Sequence, residues 1–172
     1  VFFIIFAFIS GYVVIILMSP LLAYLSEKTE QILSGKKYNA SFWQMMKDII
    51  RGISIALRNL ILELFFLVLM FLVSFIPFVG WLGTIVLFFI SAYFYGFSFI
   101  DYNNERHKLS IRESIHLVRK YRWLAIANGA VFSLSLLVPL CGTFVSLFLA
   151  IISVVAAALA MQQINAYGNE FD

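Results

Sequence analysis

Long uncharged stretches alternate with short polar segments along this chain of 172 residues. Residues 1–26 and 123–169 carry no charged side chain, and residues 59–100 carry only Glu63. Each stretch exceeds the roughly 20 apolar residues that cross a hydrocarbon layer about 30 Å thick. The pattern therefore predicts an all-α integral membrane protein, built as a single helical membrane domain over residues 1–172.

The polar and helix-breaking residues divide this domain into five parts. We expect a first helix over residues 1–35, an amphipathic helix over 41–58, a hairpin over 59–100, a second amphipathic helix over 110–122 and a second hairpin over 123–164. Apolar residues in the first amphipathic segment recur at helical spacing, which favours a helix lying along the membrane surface. Ser110 and Glu113 have the spacing of a capping box, which would begin the second amphipathic helix.

Each hairpin turns at the same short motif. Pro77 and Gly80 interrupt the first hairpin, and Pro139 and Gly142 interrupt the second. Proline removes a helix donor and glycine permits the chain to reverse, so both sites are expected turns. The match indicates either an internal repeat, as in many transporter folds, or chance, because this turn motif is common.

The depth of these turns is a separate question. The arms before them, residues 59–76 and 123–138, contain 18 and 16 residues, or about 27 and 24 Å of helix. Neither turn nor its flanks carries a charge. The turns therefore either just reach the far interface or stop inside the bilayer as re-entrant hairpins, which the uncharged flanks favour.

The basic residues predict the orientation. All 12 Lys and Arg residues lie in two segments, residues 27–58 and 101–122. A hairpin returns the chain to the side from which it entered, so both segments share one face, and the positive-inside rule makes that face cytoplasmic. This placement indicates membrane topology rather than binding to nucleic acid. Because the chain starts with an apolar run and no Met, we expect an N-terminal segment to be missing, which leaves dual insertion as an alternative.

Composition excludes several classes of site. Hydrophobic residues make up 63% of the chain and charged residues 12%, against about 45–50% and about 25% in soluble domains. The single cysteine, Cys141, excludes an intrachain disulfide and a thiolate metal cluster, and we expect it to be a small buried apolar residue. His107 and His116 are too isolated for a metal site and are expected at the solvated surface. We expect no cofactor.

Several motifs resemble one family of membrane proteins. They are a Ser-Pro-Leu-Leu-Ala sequence at residues 19–23, the two Pro-x-x-Gly turns, the pair Asn128 and Gly129, and Phe-Ile-Asp-Tyr-Asn-Asn-Glu-Arg at residues 99–106. The last is the most specific, because it matches an Asp-Tyr-x-x-Glu-Arg motif that includes Tyr102. Over about residues 10–160 the chain resembles the CysZ-like sulfate permeases, a family that includes the eukaryotic etoposide-induced membrane proteins.

This resemblance implies a function as well as a fold. It implies an inner-membrane homo-oligomer, not an enzyme, that conducts sulfate or a related inorganic anion into the cytoplasm for cysteine synthesis. The family's Gly-Leu-Arg stretch, implicated in anion binding, has no counterpart here. Either it lies in the missing segment or the protein lacks it. The alternative is a non-transporting membrane scaffold or assembly protein, as the eukaryotic branch suggests. A lipid-active enzyme ranks behind both, because no nucleophile–base pair or metal-ligand set is present.

Three charged residues form the main candidate site. Asp101 and Glu105 share one helical face at the end of a membrane helix, and Arg106 follows directly. Arg106 is expected to attract a divalent anion while the carboxylates hold its guanidinium group in place. The competing interpretation is a structural network that anchors this helix end at the lipid headgroups. The family motif favours a structural lining of the conduction route.

Glu63 is the second candidate. A lone acid in an apolar stretch costs roughly 2.5–3.5 kcal/mol on insertion scales and indicates a functional site. It follows Asn59 by four residues, and we expect it to pair with Arg106 or to hydrogen-bond with Asn128. Because a carboxylate repels sulfate, a structural or gating role is favoured over a role as ligand.

Two further features complete the set. The helix starts at Trp81 and Thr143 would offer backbone N–H groups to an anion if the hairpins are re-entrant, although an ordinary turn that bonds these groups locally is favoured. Small residues recur at helical spacing in the last helix, which permits close packing within a protomer or between protomers. They are Ser146, Ala150, Ser153, Ala157 and Ala160.

Overall fold

The computed structural model describes residues 2–35, 42–73, 80–138 and 141–168. Every regular element in this part of the chain is a helix, so the prediction of an all-α protein is confirmed. The helices are α1 (Phe2–Ser34), α2 (Phe42–Val73), α3 (Gly80–Arg106), α4 (Ile111–Lys120), α5 (Arg122–Leu136) and α6 (Gly142–Gly168). Pro77 and Pro139, and with them the depth of the two turns, lie outside the described residues.

Four helices are long and apolar enough to cross a membrane. They contain the segments Ile9–Ser34, Met46–Val73, Leu82–Glu105 and Gly142–Ile164. These segments have 23 to 28 residues, whereas about 20 suffice for the hydrocarbon layer. Helix α5 has only 15 residues. The four long helices support the prediction of a membrane protein.

Helix α2 departs from the expected organisation. It runs without interruption for 32 residues, so no boundary separates a surface helix ending at residue 58 from a membrane arm starting at residue 59. Its polar residues Asp48 and Asn59 are buried in the protein, while Ile50 and Leu57 are exposed. A helix lying on a membrane surface would turn its polar residues towards water. The amphipathic pattern instead belongs to one long helix, in which Asp48 and Asn59 pack inward and Lys47 stays exposed.

Helices α3 and α5 are in close contact along their length. A Cβ added to Gly96 would lie 1.9 Å from the carbonyl oxygen of Ala125, and one added to Gly129 would lie 1.8 Å from that of Ala92. Only glycine leaves room for this approach of two backbones, as at other small-residue contacts between membrane helices. This contact fixes α5 against α3.

The small residues of α6 pack within one chain. Ser146, Ala150, Ser153 and Ala157 are buried, and Ala160 is partly exposed. Helix α6 contacts α1, α3 and α5. This packing accounts for four of the five positions within a single protomer.

Helix α4 begins with the expected capping box. The Ser110 backbone N–H donates to the Glu113 carboxylate at 2.6 Å, and the Glu113 N–H donates to the Ser110 hydroxyl at 3.3 Å. The Ser110 side chain first, and the Ser110 backbone N–H second, lower the pKa of the Glu113 carboxyl because they stabilise its charged form. Val118 is buried against the bundle, while Ile111 is exposed. The cap places α4 beside the end of α3.

Candidate functional site

Polar side chains of α2 and α3 face each other in a series that we call the polar ladder. Its four rungs are Asp48 with Glu105, Arg51 with Asp101, Asn59 with Ser98 and Glu63 with Ser91. The numbers rise along α2 as they fall along α3, as antiparallel helices require. The ladder covers about 22 Å of α2, at 1.5 Å per residue. It therefore extends from the basic segment of the chain well into the uncharged one.

The Arg51–Asp101 rung is a two-point ion pair. The Arg51 Nη2 and Nε atoms lie 3.1 Å and 3.3 Å from the two Asp101 carboxylate oxygens. The Ser114 hydroxyl of α4 also donates to Asp101, and the Arg51 Nη1 donates to the Leu109 carbonyl. Bidentate pairs of this kind are among the stronger charge-assisted hydrogen bonds. The rung ties together α2, α3 and the segment leading into α4.

This rung changes the interpretation of the predicted charge cluster. Asp101 was expected to hold Arg106, but the ion pair that it forms is with Arg51 on another helix. Arg106 is the last residue of α3, and its side chain is outside the described part of the structure. The pairing supports a structural role for Asp101, as the competing interpretation proposed.

The outermost rung joins two acids. The carboxyl groups of Asp48 and Glu105 are close enough to interact electrostatically, and the Gln44 amide donates to Asp48 at 2.8 Å. Two acids at one position repel an anion. Asp48 is buried and Glu105 is partly exposed. This rung is therefore unsuited to an anion.

Asn59 joins the two helices deeper in the bundle. Its amide nitrogen donates to the Phe94 carbonyl at 3.2 Å and lies 3.1 Å from the Ser98 hydroxyl. Its amide oxygen accepts from Arg58 at 3.1 Å. Asn59 is fully buried and both ends of its amide are bonded. Its geometry is that of a structural crosslink between α2 and α3.

Glu63 forms the innermost rung and is only 1% exposed. The Tyr12 hydroxyl of α1 donates to Glu63 Oε2 at 2.6 Å. The Ser91 hydroxyl faces the carboxyl group but donates to the Leu87 carbonyl at 2.9 Å. Glu63 Oε1 is buried without a hydrogen-bond partner among the described residues. The carboxyl group therefore connects three helices and keeps one acceptor unused.

Asn128 lies elsewhere in the fold. Its amide nitrogen donates to the Ser153 carbonyl at 3.0 Å and so joins α5 to α6. The expected hydrogen bond between Glu63 and Asn128 is absent, since the Glu63 carboxyl bonds to Tyr12 instead. Asn128 is thus part of the α5–α6 contact rather than of the polar ladder.

Tyr102 and His107 occupy the end of α3. The Tyr102 hydroxyl is buried without a hydrogen-bond partner in the described part of the chain, and a Cβ added to Gly52 would lie 3.4 Å from it. His107 is exposed, as expected. Its Nδ1 lies 3.1 Å from the Asn103 carbonyl, which can only accept, and its Nε2 lies 3.4 Å from a Glu30 carboxylate oxygen. These contacts connect the end of α3 to α1.

Two other predicted features have clear outcomes. Cys141 is exposed, so the prediction of a buried residue is wrong. At the start of α6, the Gly142 N–H donates to the Val138 carbonyl at 2.9 Å, which is the local bonding of an ordinary turn. The described residues contain no group of three side chains that could hold a metal ion. Gly80 begins α3, and its surroundings are not described.

Arg51, Ser114 and Tyr12 are site residues that the sequence analysis missed. Arg51 carried a signal, because Asp48, Arg51, Asn59 and Glu63 fall within an arc of about 120° on one helix, at 3.6 residues per turn. That arc becomes visible only if the helix is continued across residue 58. Ser114 and Tyr12 do not belong to any comparable sequence pattern.

The sequence of this chain is similar to those of known membrane transport proteins. The family model described as Sulfate transporter CysZ/Etoposide-induced protein 2.4 matches residues 1–147. Proteins named Sulfate transporter CysZ from Pseudomonas aeruginosa and Vibrio cholerae are each 29% identical to the chain, over 127 and 129 residues. The alignments cover 73% and 74% of this chain and 52% of each relative. The chain thus spans about half the length of the curated relatives it matches.

Proposed function

The chain belongs to the Sulfate transporter CysZ/Etoposide-induced protein 2.4 family, and on that premise we propose that it forms part of a membrane pathway for sulfate or a related inorganic anion. The anion moves into the cytoplasm in this proposal and supplies sulfur assimilation and cysteine synthesis. The pathway is a homo-oligomer in the cell inner membrane, crossed several times by each chain. It requires neither a cofactor nor an enzymatic step.

The observation that supports this proposal most is the polar ladder. Charged and amide side chains are rare inside membrane proteins, and they mark substrate paths or the elements that gate them. Here they line the contact of two helices, each with a segment long and apolar enough to cross a membrane. Glu63 keeps one carboxyl oxygen without a partner among the described residues. A purely structural seam would have no need for a buried acid at that level.

Charge indicates how the ladder takes part. Its acids are Asp48, Glu63, Asp101 and Glu105, and its one base is Arg51. A divalent anion is repelled by such a row, so the ladder positions and gates the route rather than binding the anion. Asn59 and Tyr102 belong to the same framework, and Asn128 holds α6 beside it.

A basic side chain outside the ladder is then the anion's partner. Arg106 is our candidate, because it ends α3 and completes the Asp-Tyr-x-x-Glu-Arg sequence. Asp101 pairs with Arg51, so this assignment does not depend on a bond between Asp101 and Arg106. All basic residues lie in two segments, and the positive-inside rule supports a cytoplasmic position for both.

Sulfate uptake by whole cells tests the proposal. The full-length protein would be expressed in bacteria that lack their own sulfate permeases, and the entry of radiolabelled sulfate would be followed over time. We expect uptake, and growth on sulfate as sole sulfur source. Growth on cysteine should not depend on the protein, which serves as the control for general fitness.

The same experiment separates transport from the alternative of a membrane scaffold or assembly protein. Expression of a well-folded, membrane-located protein without any sulfate entry would contradict transport and favour the scaffold. Structural pairing of Asp101 with Arg51 is compatible with both functions, so only the flux decides between them.

A further inference from the structure

An open cavity of about 560 Å³ lies between α2, α3, α4 and α5. Its walls are mostly apolar and include Leu62, Phe66, Val86, Phe89 and Ile90. Val86 and Phe89 are exposed at its rim. The cavity lies outside the polar ladder, and the proposed transport function does not use it.

Two arginines stand at one end of this cavity. Arg58 of α2 and Arg119 of α4 both line it, together with Tyr93 of α3, and the Tyr93 hydroxyl lies within electrostatic range of both guanidinium groups. Arg58 also lies 5.7 Å from the Phe97 ring centroid and donates to the Asn59 amide. Neither arginine has a carboxylate partner in the described part of the chain. One end is therefore cationic and the rest apolar.

The cationic end coincides with the boundary of the uncharged stretches. Arg58 directly precedes the stretch over residues 59–100, and Arg119 lies four residues before the stretch that starts at Trp123. Trp123 is 70% exposed, as is typical of aromatic residues at a membrane interface. From Arg58, the apolar wall of α2 reaches Phe66, about 12 Å further along the helix. The cavity thus runs from the interface into the membrane.

We propose that this cavity binds an anionic phospholipid. The phosphate lies between Arg58 and Arg119 and accepts a hydrogen bond from the Tyr93 hydroxyl, and one acyl chain lies along the apolar walls. Guanidinium groups bind phosphate by two parallel hydrogen bonds. A free phosphate or sulfate would leave the apolar walls uncovered, whereas a lipid satisfies both ends of the cavity.

A second copy of the chain fits the cavity less well. Its surface would have to supply carboxylates for Arg58 and Arg119. Among the described residues, Glu113 is the fully exposed acid, and the others are buried or partly covered. Anionic headgroups are abundant at the level where the two arginines lie, since cytoplasmic leaflets carry negative lipids. Charge complementarity therefore favours the lipid.

Binding of a pyrene-labelled phosphatidylglycerol to the full chain in neutral detergent micelles tests this proposal. Energy transfer from the native tryptophans to pyrene would report binding, with pyrene-labelled phosphatidylcholine as the neutral comparison. We expect phosphatidylglycerol to bind about 25-fold more tightly than phosphatidylcholine, since each of the two basic residues contributes about five-fold. The double variant R58Q/R119Q should lose that preference.

Matched variants make the result specific. K120Q/R122Q removes the same charge at the same level without touching the cavity lining, so it should keep the preference within two-fold. R58K/R119K retains the charge and should retain most of the binding, even if R58Q/R119Q is poorly folded. V86F/I90F narrows the apolar part and should weaken phosphatidylglycerol binding while leaving oligomer size unchanged.

Three results would overturn the proposal. One is equal binding of the two lipids to the unmodified protein. Another is displacement of phosphatidylglycerol by inorganic phosphate together with no effect of V86F/I90F, which would indicate a small-anion site. The third is a change of oligomer size in R58Q/R119Q with no lipid binding to the unmodified protein, which would place a second copy in the cavity. None of these results depends on sulfate transport.

Discussion

Replacing Asp101 with asparagine removes the charge that holds Arg51 in the polar ladder. The Asp101 side chain is 3% exposed and the Arg51 side chain 17%, so the guanidinium group is left largely buried without its counter-ion. Breaking a buried ion pair by removing one partner costs about 3–5 kcal/mol. Arg51 keeps some solvent access and its bond to the Leu109 carbonyl, so we expect D101N to lower the free energy of unfolding by about 2–3 kcal/mol.

The reverse change should cost more. R51Q leaves the Asp101 carboxylate almost fully buried, with the Ser114 hydroxyl as its remaining hydrogen-bond donor among the described residues, and we expect a loss of about 3–5 kcal/mol. The double variant R51Q/D101N removes both charges and allows an amide–amide hydrogen bond. Its cost should fall below the sum of the single costs by about 1.5–3 kcal/mol, the usual range for residues in direct contact.

Equilibrium unfolding of the purified protein in mixed micelles, followed by helical circular dichroism, would measure these free energies. R112Q is the matched control, because Arg112 is an exposed base on α4, and it should stay within about 0.5 kcal/mol of the unmodified protein. If D101N and R51Q also stayed within that margin, the ion pair would not stabilise the bundle and the reasoning would be wrong.

Other predictions address packing, the anion route and orientation. G129A should destabilise or misfold the protein, because the added Cβ would lie 1.8 Å from a carbonyl oxygen of α3. G83A, whose added Cβ would have a sulfur atom at 3.9 Å as its nearest neighbour, should be neutral or slightly stabilising in the same unfolding assay. R106Q should reduce sulfate flux in liposomes while expression and oligomer size stay near normal; unaltered flux would remove Arg106 from the route. Single cysteines at Lys37 and Lys108, without the native cysteine, should react with an impermeant thiol reagent from the same face, and labelling from opposite faces would reject the hairpin arrangement.

Fold class was accessible from the sequence because the bilayer imposes it. Long uncharged stretches can span hydrocarbon only as helices or closed barrels, since every backbone polar group must be bonded internally. The start of α4 was accessible for a local reason, as Ser110 and Glu113 bond each other over three residues. Neither prediction required knowledge of how distant parts of the chain pack.

The sequence did not predict which side of α2 faces the rest of the protein. Residues 42–58 have a helical apolar period whether their polar side faces water or protein. The structure buries Asp48 and Asn59 against α3 and exposes Ile50, while Lys47 and Ser54 are exposed as well. Polar residues therefore lie on both sides of this part of the helix. Hydrophobic spacing alone does not distinguish the two cases.

Side-chain partners on different helices were the part of the site that the sequence predicted least well. Arg51 and Asp101 are 50 residues apart in sequence. Arg106 lies much closer to Asp101 along the chain, so the sequence favoured Arg106 as its partner. Tyr12 lies in an apolar run where a single tyrosine carries no signal, yet its hydroxyl binds the Glu63 carboxylate at 2.6 Å. Such pairs depend on which helix faces meet, and one sequence does not encode that in any local pattern.

Sulfate flux into liposomes that contain only the purified full-length protein tests the central claim most directly. We expect uptake of radiolabelled sulfate well above that of liposomes without protein. Excess unlabelled sulfate should reduce this uptake, and R112Q should leave it unchanged. Uptake no greater than in protein-free liposomes, from a preparation that is folded and monodisperse, would contradict the assignment of this chain to an anion pathway.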